Sequence, residues 1–231
     1  MKIIIHGGFF SESSTNIETK IAKQQALLRI VKDSYAYLQN HSALETVVYA
    51  VSQLEDDELF NAGIGSQIQS DGKIRMSASL MDGESQKMSG VINIEEVKNP
   101  IQVAQVLMQV DDRILGGSGA TNFARKHGFE SFSTEIPQRR AEYEAKLASL
   151  GTGTVGCVAL DKNGKIAVAT STGGKGFEIP GRISDSATVA GNYANEFCGV
   201  SLTGVGEDIV SNATAAKIVT RVTDGFSIEK A

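Results

Sequence analysis

The spacing of apolar residues divides the chain into recognisable elements. Lys2–Ile5 is a short apolar run closed by Gly7-Gly8, the pattern of a buried first strand. Polar residues from Ser11 to Ser14 make a loop. Thr15-Asn16-Ile17-Glu18 then fits a capping box, in which side chains satisfy the free amides at a helix start. The helix it opens runs to about Leu38 and carries Ile17, Ile21, Leu28, Val31, Tyr35 and Leu38 along one face. Ser42-Ala43-Leu44-Glu45 is a second capping box, followed by Leu44, Val47, Val48, Val51 and Leu54 at helical spacing. Two consecutive helices predict a paired outer layer.

Beyond them the pattern changes. Asn61-Ala62-Gly63-Ile64-Gly65 is a turn-rich loop. Ile74–Met81 alternates as a strand, and Val91–Ile94 is a shorter one. Ile101–Val110, Thr121–Lys126 and Gln138–Leu150 are helical, the last a charged, Ala-rich stretch suited to a surface linker. From Thr154 strands dominate. Thr154–Leu160 and Ile166–Thr170 flank Asp161-Lys162-Asn163-Gly164, a hairpin turn, and Ala187–Ala194 and Gly199–Leu202 are further strands. Glu207–Thr223 returns to helix, with Ile209, Val210, Ala213, Ile218 and Val222 apolar. Helices, then strands, then a closing helix predict a layered α+β domain.

Composition narrows the function. The 231 residues, 41% hydrophobic and 21% charged, are ample for a core and too apolar for a disordered chain. A net charge of −5 without a basic cluster argues against nucleic acid as partner. No apolar run approaches the ~20 residues needed to span a bilayer, so no membrane partner is expected. The first residues lack the features of a signal peptide, which predicts a cytoplasmic protein. Cys157 and Cys198 are expected to be reduced core thiols, and His6, His41 and His127 form no zinc-binding pair. Gly116-Gly117-Ser118-Gly119 lacks the Lys of a phosphate loop, and Ala120 breaks a nucleophile elbow.

The candidate chemistry lies in the second half. Gly151-Thr152-Gly153-Thr154-Val155-Gly156 places a threonine where a glycine-flanked segment meets a strand. Thr170-Ser171-Thr172-Gly173-Gly174 ends the next strand. Gly181-Arg182-Ile183-Ser184-Asp185-Ser186 holds an Arg and an Asp three apart, and Ser201-Leu202-Thr203-Gly204-Val205-Gly206-Glu207 leads into a helix. With these four motifs come His6-Gly7-Gly8, Leu54-Glu55-Asp56-Asp57, Phe60–Gly65, Met81-Asp82-Gly83 and Lys98-Asn99-Pro100. Together, from His6 to the end, they resemble the plant-type asparaginase and isoaspartyl peptidase family of N-terminal-nucleophile hydrolases.

The chemistry fits that resemblance. A threonine hydroxyl is a weak nucleophile and needs a base beside it. A free α-amine, with an ordinary pKa of ~7.7–8.0, can serve once the Gly153–Thr154 bond is cut. The resemblance implies self-cleavage into an α chain of residues 1–153 and a β chain of residues 154–231. It implies a four-layer αββα sandwich and a homodimer of processed protomers. It also implies action on small molecules, L-asparagine and β-aspartyl dipeptides.

The same resemblance implies Thr154 as the nucleophile and Thr172 as the hydroxyl that orients it. It implies Thr203 and Gly204 as the oxyanion hole, and Asn61 sits where the family has an active-site asparagine. Arg182 resembles the clamp for the substrate α-carboxylate, Asp185 the partner of its ammonium, and Gly206 a further member of the binding set. The segment Leu54–Ile64 resembles a sodium loop, whose matched positions are Leu54, Glu55, Asp57, Phe60, Ala62 and Ile64; the ion would be structural, and no cofactor is expected for catalysis.

The departures are specific. Phe9-Phe10 follow His6-Gly7-Gly8 where family members usually have Ala and Gly. Ser77 replaces an Asp, Ser184 replaces a Gly between Arg182 and Asp185, and Thr152 stands where His is common. The chain stops at Ala231, where family members continue with a helix, a strand pair and a Gly-rich segment, so a C-terminal family segment is expected to be missing. Two alternatives follow: a truncated, inactive relative acting as a binding or scaffold protein, or a glycosylasparaginase-like amidase.

Overall fold

A computed structural model describes residues 1–8, 17–145 and 153–231. In chain order the elements are β1 (Lys2–His6), α1 (Ile17–Leu38), α2 (Ala43–Glu55), β2 (Met76–Asp82), β3 (Met88–Ile94), α3 (Pro100–Leu107), β4 (Ile114–Gly116) and α4 (Gly117–Lys126). They continue with α5 (Pro137–Glu144), β5 (Val155–Leu160), β6 (Ile166–Thr172), β7 (Asn192–Ala194), β8 (Gly199–Ser201), α6 (Gly206–Asn212) and α7 (Thr214–Thr223). A six-stranded sheet has the order β1-β5-β6-β2-β3-β4, antiparallel except for the parallel β3–β4 pair. β7 and β8 form a separate antiparallel ribbon.

Alternation along the central strands assigns their two faces. Val155, Cys157 and Ala159 of β5 and Ala167 and Ala169 of β6 join a core completed by Val47, Val51 and Leu54 of α2 and Ile101, Ala104 and Leu107 of α3. The intervening residues Val158, Ile166 and Val168 turn the other way and pack with Met81, Tyr193 and Ala194. The ribbon therefore lies on the face opposite α2 and α3, with α7 packed against it. Its close approach requires Gly199, where a Cβ would lie 2.7–3.0 Å from methyl groups of Val168, Ile166 and Val158.

Local chemistry explains several boundaries. Ser42 caps α2: its hydroxyl accepts from the Glu45 amide, and Glu45 reaches back to the Ser42 amide. The β5–β6 hairpin closes where expected, with Asp161 Oδ1 accepting from the Asn163 and Lys165 amides and Gly164 at φ +77°. Cys157 and Cys198 are free and buried, as expected.

Four expectations are corrected. β1 is not a buried strand: it is an edge of the sheet, and Ile4 is 70% exposed. On α1, Ile17, Ile21, Leu28 and Tyr35 face outward, while Ala26, Ile30, Ser34 and Leu38 are buried. Ala26, Ile30, Ser34 and Leu38, at spacing four, make the row that packs inward, and the expected apolar stripe is left largely on the solvent side. The predicted strand from Ala187 shrinks to β7, because Thr188 and Gly191 close turns onto Asp185 and Thr188. The last helix breaks at Ala213, which adopts the left-handed conformation at φ 47°. There the Ala215 and Ala216 amides leave the helix to bond the Ala190 and Val189 carbonyls. The capping box at Thr15-Asn16, residues Phe9-Phe10, Gly151 and Thr152, and the end of the Gln138–Leu150 helix lie outside the described residues.

Candidate active site

Antiparallel pairing of β5 with β6 brings the residue before one strand beside the end of the other. Thr154 Oγ1 donates to Thr172 Oγ1 at 3.2 Å and lies 3.4 Å from Ser186 Oγ. All three residues are buried. Thr172 Oγ1 also accepts from the Gly174 amide at 3.2 Å. Sequence reasoning quoted Ser186 at the end of its motif without giving it a role; only the fold of the loop behind β2, where Ser79 Oγ holds the Ser186 carbonyl at 2.6 Å, brings it in. Every partner of the Thr154 hydroxyl among the described residues is another hydroxyl, and none is a base.

The peptide before Thr154 is tightly packed. Gly8 has φ +112°, and a Cβ there would lie 2.6 Å from Gly153 Cα and 3.1 Å from its carbonyl carbon. On the other side the Asn61 Cβ lies 3.1 Å from where a Gly153 Cβ would be. Asn61 Oδ1 accepts from the Gln67 amide at 3.0 Å, and its Nδ2 donates to the Gly174 carbonyl at 2.5 Å. Its carbonyl takes the Gly173 amide at 2.9 Å. Asn61 thus ties the loop after α2 to the end of β6 and flanks Gly153.

His6 anchors a polar chain behind these groups. Its Nε2 lies 2.9 Å from Ser201 Oγ, which lies 2.7 Å from Thr170 Oγ1, which donates to Asn192 Oδ1 at 2.9 Å. Burial lowers the His6 pKa to about 4, only partly offset by the Thr154 backbone, so the ring is neutral. This chain joins β1 to β8, two residues before Thr203. Thr203 and Gly204 occupy the half-buried turn between β8 and α6.

Arg182 and Asp185 do come together. Arg182 Nε and Nη2 donate to Glu207 Oε1 and Oε2 at 2.7 and 2.9 Å. Ser184 Oγ accepts from Arg182 Nη2 at 3.2 Å and donates to Asp185 Oδ1 at 2.8 Å. Gly206 lies under this bridge: a Cβ would come 1.8 Å from Ser184 Oγ. Burial raises the Asp185 pKa, while the Arg182 bond holds Glu207 down at about 2. Arg182, Ser184, Ser186 and Thr172 line one narrow cavity, together with Ser77 and Glu178. Sequence reasoning had no signal for Glu207 beyond its place after Gly206, or for the buried Glu178 carboxyl.

The loop after α2 has a donor set of backbone oxygens. The Asp57 carboxylate is engaged by Arg29 and the Leu59 amide. Glu55 is fully buried and accepts from Ser171 Oγ and the Ile101 amide; burial raises its pKa to about 8. The carbonyls of Glu58 and Phe60 lie 2.6 and 2.9 Å from where a Gly65 Cβ would be. Of the expected sodium positions, the Glu55 and Asp57 carbonyls accept from the Ile64 and Phe60 amides at 2.7 and 3.1 Å.

The sequence matches the family described as Asparaginase over residues 1–231. An isoaspartyl peptidase/L-asparaginase of Synechocystis sp. is 47% identical, covering 100% of this chain and 75% of the relative. The isoaspartyl peptidase of Escherichia coli is 36% identical, over 99% of this chain and 79% of its own. A plant-type L-asparaginase of Pyrococcus furiosus is 37% identical, over 89% and 74%.

Proposed function

This chain belongs to the asparaginase family, and on that premise we propose that it is a self-processing threonine amidohydrolase. It releases L-aspartate from β-aspartyl (isoaspartyl) dipeptides and from L-asparagine. The observation that carries the reading is the Thr154 hydroxyl, 3.2 Å from Thr172 Oγ1 and without a side-chain base among the described residues. Such a hydroxyl needs the base that an N-terminal α-amine provides.

In the first reaction Thr154 Oγ1 attacks the Gly153 carbonyl. The hydroxyl proton passes to the amide nitrogen, the peptide C–N bond breaks to free an amine, and an ester joins Gly153 to the Thr154 oxygen. Water hydrolyses that ester, leaving chains 1–153 and 154–231. Close packing of Gly8 and Asn61 on Gly153 favours the attack by restricting the peptide.

In the second reaction the freed amine takes the Thr154 hydroxyl proton as the oxygen attacks the substrate side-chain amide. Thr203 and the Gly204 amide stabilise the oxyanion. The amine returns the proton to the departing ammonia or amino acid, and water releases aspartate from the acyl-enzyme. Arg182 binds the α-carboxylate, Asp185 the α-ammonium, and Gly206 belongs to the binding set by leaving room for Ser184 and Asp185.

The finer architecture belongs to the same reading. The helices α2 and α3, the six-stranded sheet, the β7–β8 ribbon and α7 are the four layers of an αββα sandwich. The carbonyls of the Leu54–Ile64 loop would hold a sodium ion that fixes the loop and takes no part in the reaction. The processed protomers pair as a homodimer in the cytoplasm. No helix among the described residues is long and apolar enough to cross a membrane.

The test is aspartate release from a β-aspartyl dipeptide and from L-asparagine by the wild type and by Thr154→Ala. Release by the wild type alone supports the reading. An active Thr154→Ala protein, or an inert wild type, overturns it.

A further inference from the structure

Arg182 and Asp185 each present two faces, and each uses one of them internally. A guanidinium has two edges that can receive a carboxylate. Glu207 takes the Nε/Nη2 edge at 2.7 and 2.9 Å, and among the described residues Nη1 has no hydrogen-bond partner. The Arg182 side chain is 15% exposed and that of Glu207 57%, so Glu207 holds the clamp from its solvent side. Asp185 is likewise held by one oxygen: Oδ1 accepts from Ser184 Oγ, whereas Oδ2 is buried and unpartnered. Ser184 Oγ also accepts from Arg182 Nη2, so one hydroxyl sets the distance between the cation and the carboxylate.

We propose that Glu207 and Ser184 are positioning residues that preorganise an α-amino-acid subsite. They hold Arg182 by its Nε/Nη2 edge and Asp185 by Oδ1, leaving Nη1 and Oδ2 unengaged for the ligand's α-carboxylate and α-ammonium. The proposal rests on the proposed function for its ligand. It answers the replacement of glycine at 184: the serine hydroxyl is a strut between the two binding groups, accommodated over Gly206. Fixing both groups before binding lowers the ordering cost of complex formation.

The opposite role for Glu207 would be a competitor that occupies Arg182 until substrate displaces it. The two roles predict opposite signs. Positioning predicts that Glu207→Ala raises both KM for a β-aspartyl dipeptide and Kd for L-aspartate ~10-fold, with kcat changed much less. Ser184→Ala moves both constants in the same direction. Glu207→Gln, which keeps an acceptor for Arg182, recovers part of the loss. Because Glu207 stays ionised far below neutrality, the ratio of wild-type to variant KM is flat from pH 5 to 8. Steady-state kinetics and calorimetry with L-aspartate read these quantities.

A fall in KM and Kd on removing Glu207, or constants unchanged in both alanine variants, overturns the proposal. A wild type that binds L-aspartate without hydrolysing the dipeptide counts against the proposed function alone, and the Kd comparison still decides this one. A wild type that neither binds L-aspartate nor hydrolyses the dipeptide overturns both; one that hydrolyses it without measurable L-aspartate binding leaves the decision to the KM comparison.

Discussion

Thr172→Val keeps the shape of the side chain and deletes the hydroxyl 3.2 Å from Thr154 Oγ1. In the resting protein that bond joins two neutral groups and is worth ~0.5–1.5 kcal/mol. During attack Thr154 Oγ1 loses its proton and Thr172 turns its own O–H to donate to it; a hydrogen bond to a charged group is worth ~1.5–3 kcal/mol. The difference that bears on rate, ~1–1.5 kcal/mol, corresponds to a loss in kcat of about 5- to 13-fold. Ser186 remains at 3.4 Å, the limit of a hydrogen bond, and so compensates little. The Gly174 amide also loses an acceptor, but Gly174 is half-buried and water can replace it. The assay is kcat on a β-aspartyl dipeptide, using enzyme already cut at Gly153–Thr154, with Ser186→Ala in parallel. A loss of less than about 3-fold is expected for Ser186→Ala, given its longer contact. A Thr172→Val enzyme within twofold of wild type would refute the orienting role.

Gly8→Ala places a Cβ 2.6 Å from Gly153 Cα at a φ of +112°; the chain is expected to stay uncut on denaturing gels while keeping a wild-type circular dichroism spectrum. Ser42→Ala removes the reciprocal cap of α2 and should cost ~1 kcal/mol, lowering Tm by about 2–4 °C without changing kcat. His6 has a folded pKa of about 4 against an ordinary 6.5, so the unfolded chain binds more protons between those values and stability is lost as pH falls through them. Glu55, raised to about 8, has the opposite sign as pH rises from 4.5, so the contribution of His6 is read as the difference between wild type and His6→Gln. That difference should change by up to ~1.4 kcal/mol per pH unit in denaturant melts, and a constant difference from pH 4 to 6.5 would contradict it.

Local signals made parts of the fold legible in the sequence. Ser42 and Glu45 announce a helix start because the cap is built within four residues. Asp161 and Gly164 announce a hairpin because the turn satisfies its own amides. Which face of a helix is buried depends on its neighbours. On α1 the row Ala26, Ile30, Ser34 and Leu38 is buried in place of the stripe through Ile21 and Leu28. The break at Ala213 was equally hidden, since it is made by bonds from Ala215 and Ala216 to a distant loop. At the site, Thr154 and Thr172 were visible as motif residues, and strand pairing supplies their contact. Ser186, the His6–Ser201 link and the Glu207–Arg182 pair join residues 25 to 195 positions apart. No spacing rule reports such pairs.

Self-cleavage is the claim on which the rest depends, because without it Thr154 has no α-amine. Intact-mass spectrometry of the purified wild type and Thr154→Ala, followed over days, tests it directly. The account predicts two wild-type masses, residues 1–153 and residues 154–231, and one undivided mass for the variant. A single persistent wild-type mass, or a cut elsewhere that the variant shares, would contradict it.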